Sequence, residues 1–272
     1  MSRFARRLQF RGRIDLDNRP ADATPGWKDR ESAEARTQKN LERIDRLQYR
    51  LFAEARRSLL IVLQGMDGSG KDGLIRKVLT VFNPQGCRVW PFKVPTGEEA
   101  AHDFLWRIHR AAPARGGIAV FNRSHYEEVL VPRVHGTIRE AEWSQRYESI
   151  NAFERHLALC GTRVLKFFLH ISRKEQRQRL LARLEDSDKH WKFDPGDLKE
   201  RALWKQYRSA YEDLLGRCNP AAARWHVVPA DHKWFRDVAV SEIVADALED
   251  MDPQVPKVSL DMRKLRSRLR SL

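Results

Sequence analysis

A chain of 272 residues with 51 Lys and Arg against 37 Asp and Glu carries a formal net charge of +14. It is long enough for one large α/β domain or two small ones, and its cation excess points to a polyanionic partner (nucleic acid, an anionic membrane or a polymeric phosphate) unless it only mirrors an arginine-rich proteome. No apolar run is long enough to span a bilayer, the basic start MSRFARRLQFRGR lacks the apolar stretch of a signal peptide, and Cys87, Cys160 and Cys218 are too few and too far apart for a disulfide framework or a zinc site. A reduced, cytoplasmic setting is expected.

Residues 1–28, interrupted by Pro20, Pro25 and Gly26, read as an irregular arm over the domain. From about Glu31 to Arg57 the stripe Leu41, Ile44, Leu47, Leu51 and Phe52 predicts a helix. The apolar run Leu59 to Leu63 predicts a strand. It ends in Gly65-Met66-Asp67-Gly68-Ser69-Gly70-Lys71, followed by Leu74, Ile75, Val78, Leu79 and Phe82 at helical spacing. Strand, G-x4-G-K loop and helix together make a phosphate cradle: glycines let successive N–H groups turn inward, the helix N-terminus adds partial positive charge, and lysine adds a full one. Gly65, Gly68, Ser69, Gly70, Lys71 and Asp72 are therefore the expected phosphate- and nucleotide-binding residues. Two acids break the usual pattern. Asp72 stands where Ser or Thr would offer a hydroxyl to magnesium, and Asp67 sits inside the loop, where a carboxylate repels phosphate unless a cation lies between. Asp67 is thus expected to hold Mg2+, or Mn2+ in its place; the other reading is a helix cap or a pair with Lys71.

Pro84-Gln85-Gly86 reads as a turn and Cys87 to Phe92 as a second strand. Lys93 to Thr96 follows as a loop at a strand's C-terminal end, where open α/β sheets bind ligands. Glu98 to Arg110 is predicted helical. Ile118 to Phe121 is a third strand tipped by Asn122, at the point where a second nucleotide motif would place an acid on magnesium. Arg123 comes next, to face the same phosphates or to pair with Glu127 or Glu128. His125 and His135 read as satisfied polar groups. Glu140 to Leu159 is helical and Arg163 to Ile171 a fourth strand. Between Ser172 and Arg183, Gln176, Arg179 and Arg183 share a helical face, and Lys189, Lys192 and Pro195-Gly196 follow. This is either a lid closing cations over the transferred phosphate or a solvated basic face. Asp197 to Leu215 is a further helix, Trp225 to Pro229 the last strand, Asp237 to Leu248 a helix, and Arg263 to Arg270 a basic tail. The alternation predicts one domain over 1–272 with a doubly wound parallel sheet, an arm (1–28), a lid region (173–215) and a tail (251–272).

The stretches GMDGSGKDG, FKVPT, HDFLWR, FNRSHYEEVLVPRVHG, SRKEQ, HWKF and VPADHKWFR, in this order from about Leu41 to Leu248, resemble the family-2 polyphosphate kinases. Asn122 and the HYEE stretch are similar to that family's third class, known for phosphorylating AMP and ADP from polyphosphate. The resemblance implies a three-layer α/β P-loop kinase-like fold with a parallel central sheet and a helical lid, Mg2+ dependence, and a tetramer or dimer of dimers. It also implies roles: Asp67 as metal-binding acid, Lys71 as transition-state cation, Asn122 and Arg123 as the second-motif pair. Arg179, Arg183, Lys189 and Lys192 would be lid cations, and Lys93 and Arg133 phosphate contacts. Two positions depart from the family pattern: Gly68 stands where alanine is usual, and Asn122 where other classes carry aspartate.

The expected reaction moves a terminal phosphoryl group from inorganic polyphosphate to an adenine nucleotide, with guanine nucleotides as a second acceptor class, on a homo-oligomer that engages neither nucleic acid nor membrane. Asp67, Lys71, Arg123 and Arg179 form the expected catalytic group. The attacking phosphate oxygen is already ionised at neutral pH, so no general base is required, in keeping with a sequence rich in cations and poor in convincing bases. The competing readings are an ATP-dependent nucleoside monophosphate kinase on the same fold and a basic P-loop protein that binds nucleic acid.

Overall fold

Strands β1 (Ser58–Gln64), β2 (Cys87–Pro91), β3 (Ile118–Asn122), β4 (Thr162–His170) and β5 (Trp225–Pro229) form one parallel sheet in the order β2-β3-β1-β4-β5. The computed structural model describes residues 2–272, the side chain of Lys192 excepted. Every residue of β1 is buried, as befits a strand covered by helices on both faces. Its side chains alternate between two cores. Leu59, Ile61 and Leu63 join the face covered by the helices Arg30–Glu54, Lys71–Lys77 and Lys233–Met251. Leu60 and Val62 join the face covered by Trp106–Ala111, Glu127–Val134, Glu140–Leu159 and Trp204–Arg217. The three layers and the five strands are those expected from the sequence.

The differences lie in the helices. The helix predicted over Glu98–Arg110 is two short ones, Gly97–Ala101 and Trp106–Ala111. Thr96 and Glu99 make a reciprocal capping box at the first, and in the break the Asp103 carboxylate accepts the Leu105 amide at 2.9 Å, two local side-chain bonds that compete with a continuous helix. The helix predicted over Asp197–Leu215 divides at Leu203 into Gly196–Ala202 and Trp204–Arg217. The N-terminal arm contains a short helix, Arg3–Arg7, capped by the Ser2 side chain. Gln9 then forms an antiparallel bridge to His226 on β5, and Ala5, Leu8, Phe10 and Leu16 are buried, so the arm shields the β5 edge of the sheet. The basic tail is a helix, Met262–Ser271, with no buried residue. Among the described residues no helix is long and apolar enough to cross a membrane.

One cluster inside the second core carries charge. Lys166 points from β4 among apolar side chains, fully buried, and donates to Glu154 Oε2 at 2.6 Å, to the Tyr126 hydroxyl at 3.0 Å and to the Cys218 carbonyl at 2.9 Å. Tyr126 donates in turn to Glu154 Oε1 at 2.6 Å, and His125 Nε2 lies 3.3 Å from the same oxygen. Burial pushes His125 below the usual imidazole range despite Glu154. Only one ring nitrogen of His125 is paired, since Nδ1 is buried with no hydrogen-bond partner, so the satisfied histidine expected here is only half realised; His135 is paired with Glu200.

Candidate active site

Strand order reverses on either side of β1, and the loop leaving its C-terminal end therefore opens at the switch point where α/β sheets bind ligands. The turn there requires glycine. Gly65 has φ +148°, and a Cβ on it would lie 2.6 Å from the Leu169 carbonyl oxygen. The helix Lys71–Lys77 follows directly, and its first amides have no partner within the helix.

Lys71 is buried and folds back over the loop, donating to the Gly65 carbonyl at 2.7 Å and to that of Met66 at 3.4 Å. Burial pushes its ammonium below the usual lysine range, against the pull of Asp67. Asp67 accepts from Arg123 at 2.7 Å. Burial raises its carboxyl, but Lys71, Arg123 and Arg183 together bring it below the ordinary value. Arg123 thus pairs with Asp67 rather than with Glu128, which is held by Arg107 at 2.5 Å. The backbone at Arg123 is left-handed, φ +63°, a conformation unfavourable for a residue with a side chain, and its amide is tied to the Leu63 carbonyl at 3.1 Å. The two unusual motif positions meet each other: the Asn122 side-chain amide donates to Asp72 Oδ1 at 2.7 Å. Glu127 also belongs to this constellation; burial raises its carboxyl against the pull of Arg123 and Lys71.

The expected lid residues separate. Arg183 pairs with Asp197 at 3.1 Å and is among the cations acting on Asp67. Arg179 is not a free phosphate cation. Its Nη1 donates to the carbonyls of Gly68 and Ser69 at 2.9 and 3.0 Å, its Nη2 to those of Ala230 and Asp231 at 2.5 and 3.0 Å, and its Nε to Glu175 at 2.7 Å. With its donors directed at four carbonyls and a carboxylate, it braces the loop. Lys189 pairs with Asp186 at the exposed surface, Lys93 is exposed, and the Lys192 side chain lies outside the described residues. Arg133, expected on phosphate, is engaged elsewhere: it donates to the Tyr147 hydroxyl at 3.2 Å and to Asp213 at 2.8 Å and stacks 4.2 Å from the Trp143 ring centre.

The donor set suits a hard cation. Asp67 and Asp72 supply carboxylate oxygens, and Ser69 Oγ and Gln64 Oε1 are buried with no hydrogen-bond partner. Among the described residues no three His, Cys, Asp or Glu side chains converge to cage a metal. A Mg2+ ion would then rest on one or two carboxylates and on substrate phosphates, its common mode of binding.

Residues 27–256 match the family model of polyphosphate kinase 2 (PPK2). The chain belongs to the PPK2 family. It is 44% identical over 260 residues to the AMP/ADP-polyphosphate phosphotransferase of Meiothermus ruber, covering 95% of this chain and 97% of that one. It is 42% identical over 264 residues to the ADP-polyphosphate phosphotransferase of Rhodopseudomonas palustris, covering 93% and 91%. The crystal structure of polyphosphate kinase 2 from Arthrobacter aurescens TC1 superposes with a TM-score of 0.96 at 40% identity, over 100% of this chain and 98% of that one. Within this PPK2 site, sequence reasoning missed Arg236, which is buried and donates to the Gly70 carbonyl at 3.0 Å. An arginine-aspartate pair inside the otherwise apolar run of the last core helix is the signal that marks it.

Proposed function

We propose that this PPK2 enzyme transfers the terminal phosphoryl group of inorganic polyphosphate to ADP and AMP, giving ATP and ADP, and runs in both directions. The observation that carries the reading is the convergence of Lys71, Arg123 and Arg183 on Asp67 at the mouth of the glycine loop. Two polyanions must be brought into line, and the acceptor oxygen is already ionised. The task is neutralisation and alignment, not proton abstraction. Lys71, released from the Gly65 carbonyl, reaches the transferred phosphate; Arg123 and Arg183 hold donor and acceptor phosphates on either side; the loop amides orient them. Each such cation contributes about 3–4 kcal/mol to the transition state, by analogy with an oxyanion donor. A bound Mg2+ would supply further charge neutralisation at the phosphates, held by Asp67 with Asp72 nearby.

The same reading takes the enzyme as a cytoplasmic homo-oligomer, a tetramer or dimer of dimers, that acts on neither nucleic acid nor membrane. The unpaired Cys87, Cys160 and Cys218 are in keeping with a reducing compartment. The exposed Val255, Val258, Leu260, Leu265 and Leu269 of the C-terminal segment are in keeping with a covered surface.

The test is nucleotide analysis after mixing the protein with Mg2+, long-chain polyphosphate and either AMP or ADP, with no ATP added. ATP should form from ADP, and ADP from AMP, only when polyphosphate is present. In Asp67→Asn both products should be lost, with the circular dichroism spectrum unchanged. Transfer that requires added ATP would instead identify a nucleoside monophosphate kinase, and silence in both assays beside oligonucleotide retention would identify a nucleic-acid-binding protein.

A further inference from the structure

The motif VPADHKWFR ends in Arg236, a residue the reaction as described does not use. Its guanidinium is buried beneath the glycine loop. Nη1 donates to the Gly70 carbonyl at 3.0 Å, while Nε and Nη2 donate to Asp237 Oδ1 at 2.8 and 2.5 Å. Asp237 is also buried, and its second oxygen lies 3.6 Å from the Lys77 ammonium at the far end of the loop helix. Gly70 is matched to this arginine: it has φ +95°, and a Cβ there would stand 2.2 Å from Arg236 Nη1. A trans peptide plane points its N–H opposite its C=O. The Gly70 carbonyl accepts the Leu74 amide at 2.9 Å, the first bond of the loop helix, and Arg236 adds a second, charged donor to it, so the two together turn the Lys71 amide the other way, into the cradle. Arg179 does the same at Ser69, whose carbonyl it holds at 3.0 Å, and so directs the Gly70 amide.

We propose that Arg236, oriented by Asp237, is a positioning residue of the phosphate loop, holding the 70–71 peptide plane so that its amide meets the transferred phosphate. Arg236 acts through the loop and does not touch substrate. The inference rests on the phosphotransfer reading above for its kinetic consequence, but pyrophosphate binding to the loop tests it without turnover.

The variants are Arg236→Ala and Arg236→Lys. The lysine keeps a cation beside Asp237 and so preserves the buried pair, but one ammonium cannot span carboxylate and carbonyl as the guanidinium does. Both should lower kcat about 10- to 100-fold, the rate equivalent of one charge-assisted hydrogen bond. They should weaken pyrophosphate binding, read by calorimetry, about tenfold or more, and leave the KM for the acceptor nucleotide within about threefold of wild type. Added guanidinium should restore part of kcat in Arg236→Ala, or, if that variant does not fold, Arg236→Lys alone decides. Wild-type kcat and pyrophosphate affinity in folded Arg236→Lys would overturn the proposal. So would losses in Arg236→Ala that follow thermal stability alone and do not respond to guanidinium. If wild-type protein binds pyrophosphate and Arg236→Lys does not, while neither turns over polyphosphate, the positioning role stands and the phosphotransfer reading fails.

Discussion

Lys71→Ala should lower kcat for phosphoryl transfer by about 100- to 1,000-fold, the effect of removing one preorganised charge from a developing anion. The folded structure should persist. The lysine's contacts here are with the Gly65 and Met66 carbonyls, which a neighbouring water can replace at the mouth of the loop. On the proposed reading the same ammonium follows the phosphoryl group between two polyanions. Arg123 should not substitute, because its left-handed backbone and its bond to Asp67 hold it in place. Steady-state kinetics with a circular dichroism control reads the result. A wild-type rate would remove the phosphate loop from the reaction.

The second large effect is on stability. Lys166→Met should destabilise the protein by about 3–5 kcal/mol, because it leaves the Glu154 carboxylate buried without its cation. A domain of this kind has roughly 5–15 kcal/mol in total, so the loss approaches unfolding under mild conditions. Glu154→Gln alone should cost a similar amount. Lys166→Met with Glu154→Gln should cost clearly less than the sum, since both charges leave together and the amide still accepts from Tyr126. Urea unfolding of the four proteins gives the coupling energy, and strict additivity would mean that the pair is not a unit. The network also has a pH signature. Burial raises the Glu154 carboxyl, but Lys166 and His125 outweigh it and hold the group below its ordinary value. The corresponding stability is full above the unfolded carboxyl pKa of about 4.3 and is lost as pH falls through the lower folded value.

The central sheet was legible because buried parallel strands announce themselves as short apolar runs, as four of the five do here; β2, none of whose residues is buried, was read with the help of the Pro84-Gln85-Gly86 turn before it. The phosphate loop was legible for a different reason: its chemistry is contiguous, and glycine spacing, lysine and the flanking strand and helix all fall within Leu59 to Phe82. What failed to read was anything decided by a distant partner. Arg179 and Arg183 share a helical face, yet Arg179 ends on backbone carbonyls and Arg183 beside Asp197. Arg133 looks like a phosphate ligand until Trp143, Tyr147 and Asp213 are placed around it. Lys166 sits in a run, RVLKFFLH, that reads as an apolar strand with one misplaced charge, and only the fold supplies Glu154. The break at His102 and Asp103 was missed because a capping box and one aspartate outweighed a hydrophobic period that continues across them.

The hydrogen bond between Asn122 and Asp72 makes two positions that look like separate departures into one coupled choice. The carboxylate usual at the strand tip and the neutral group usual after the loop lysine have changed places, so the site keeps one acid across that gap. Changing Asn122 alone to aspartate would set two carboxylates face to face, a repulsion that a cation between them or a shared proton would have to relieve. Changing Asp72 alone to serine would leave the gap with no acid. Each position is thus neutral to exchange only in the background of the other. Any lineage or engineer moving between the two arrangements must cross an intermediate that is either overcharged or uncharged at that gap.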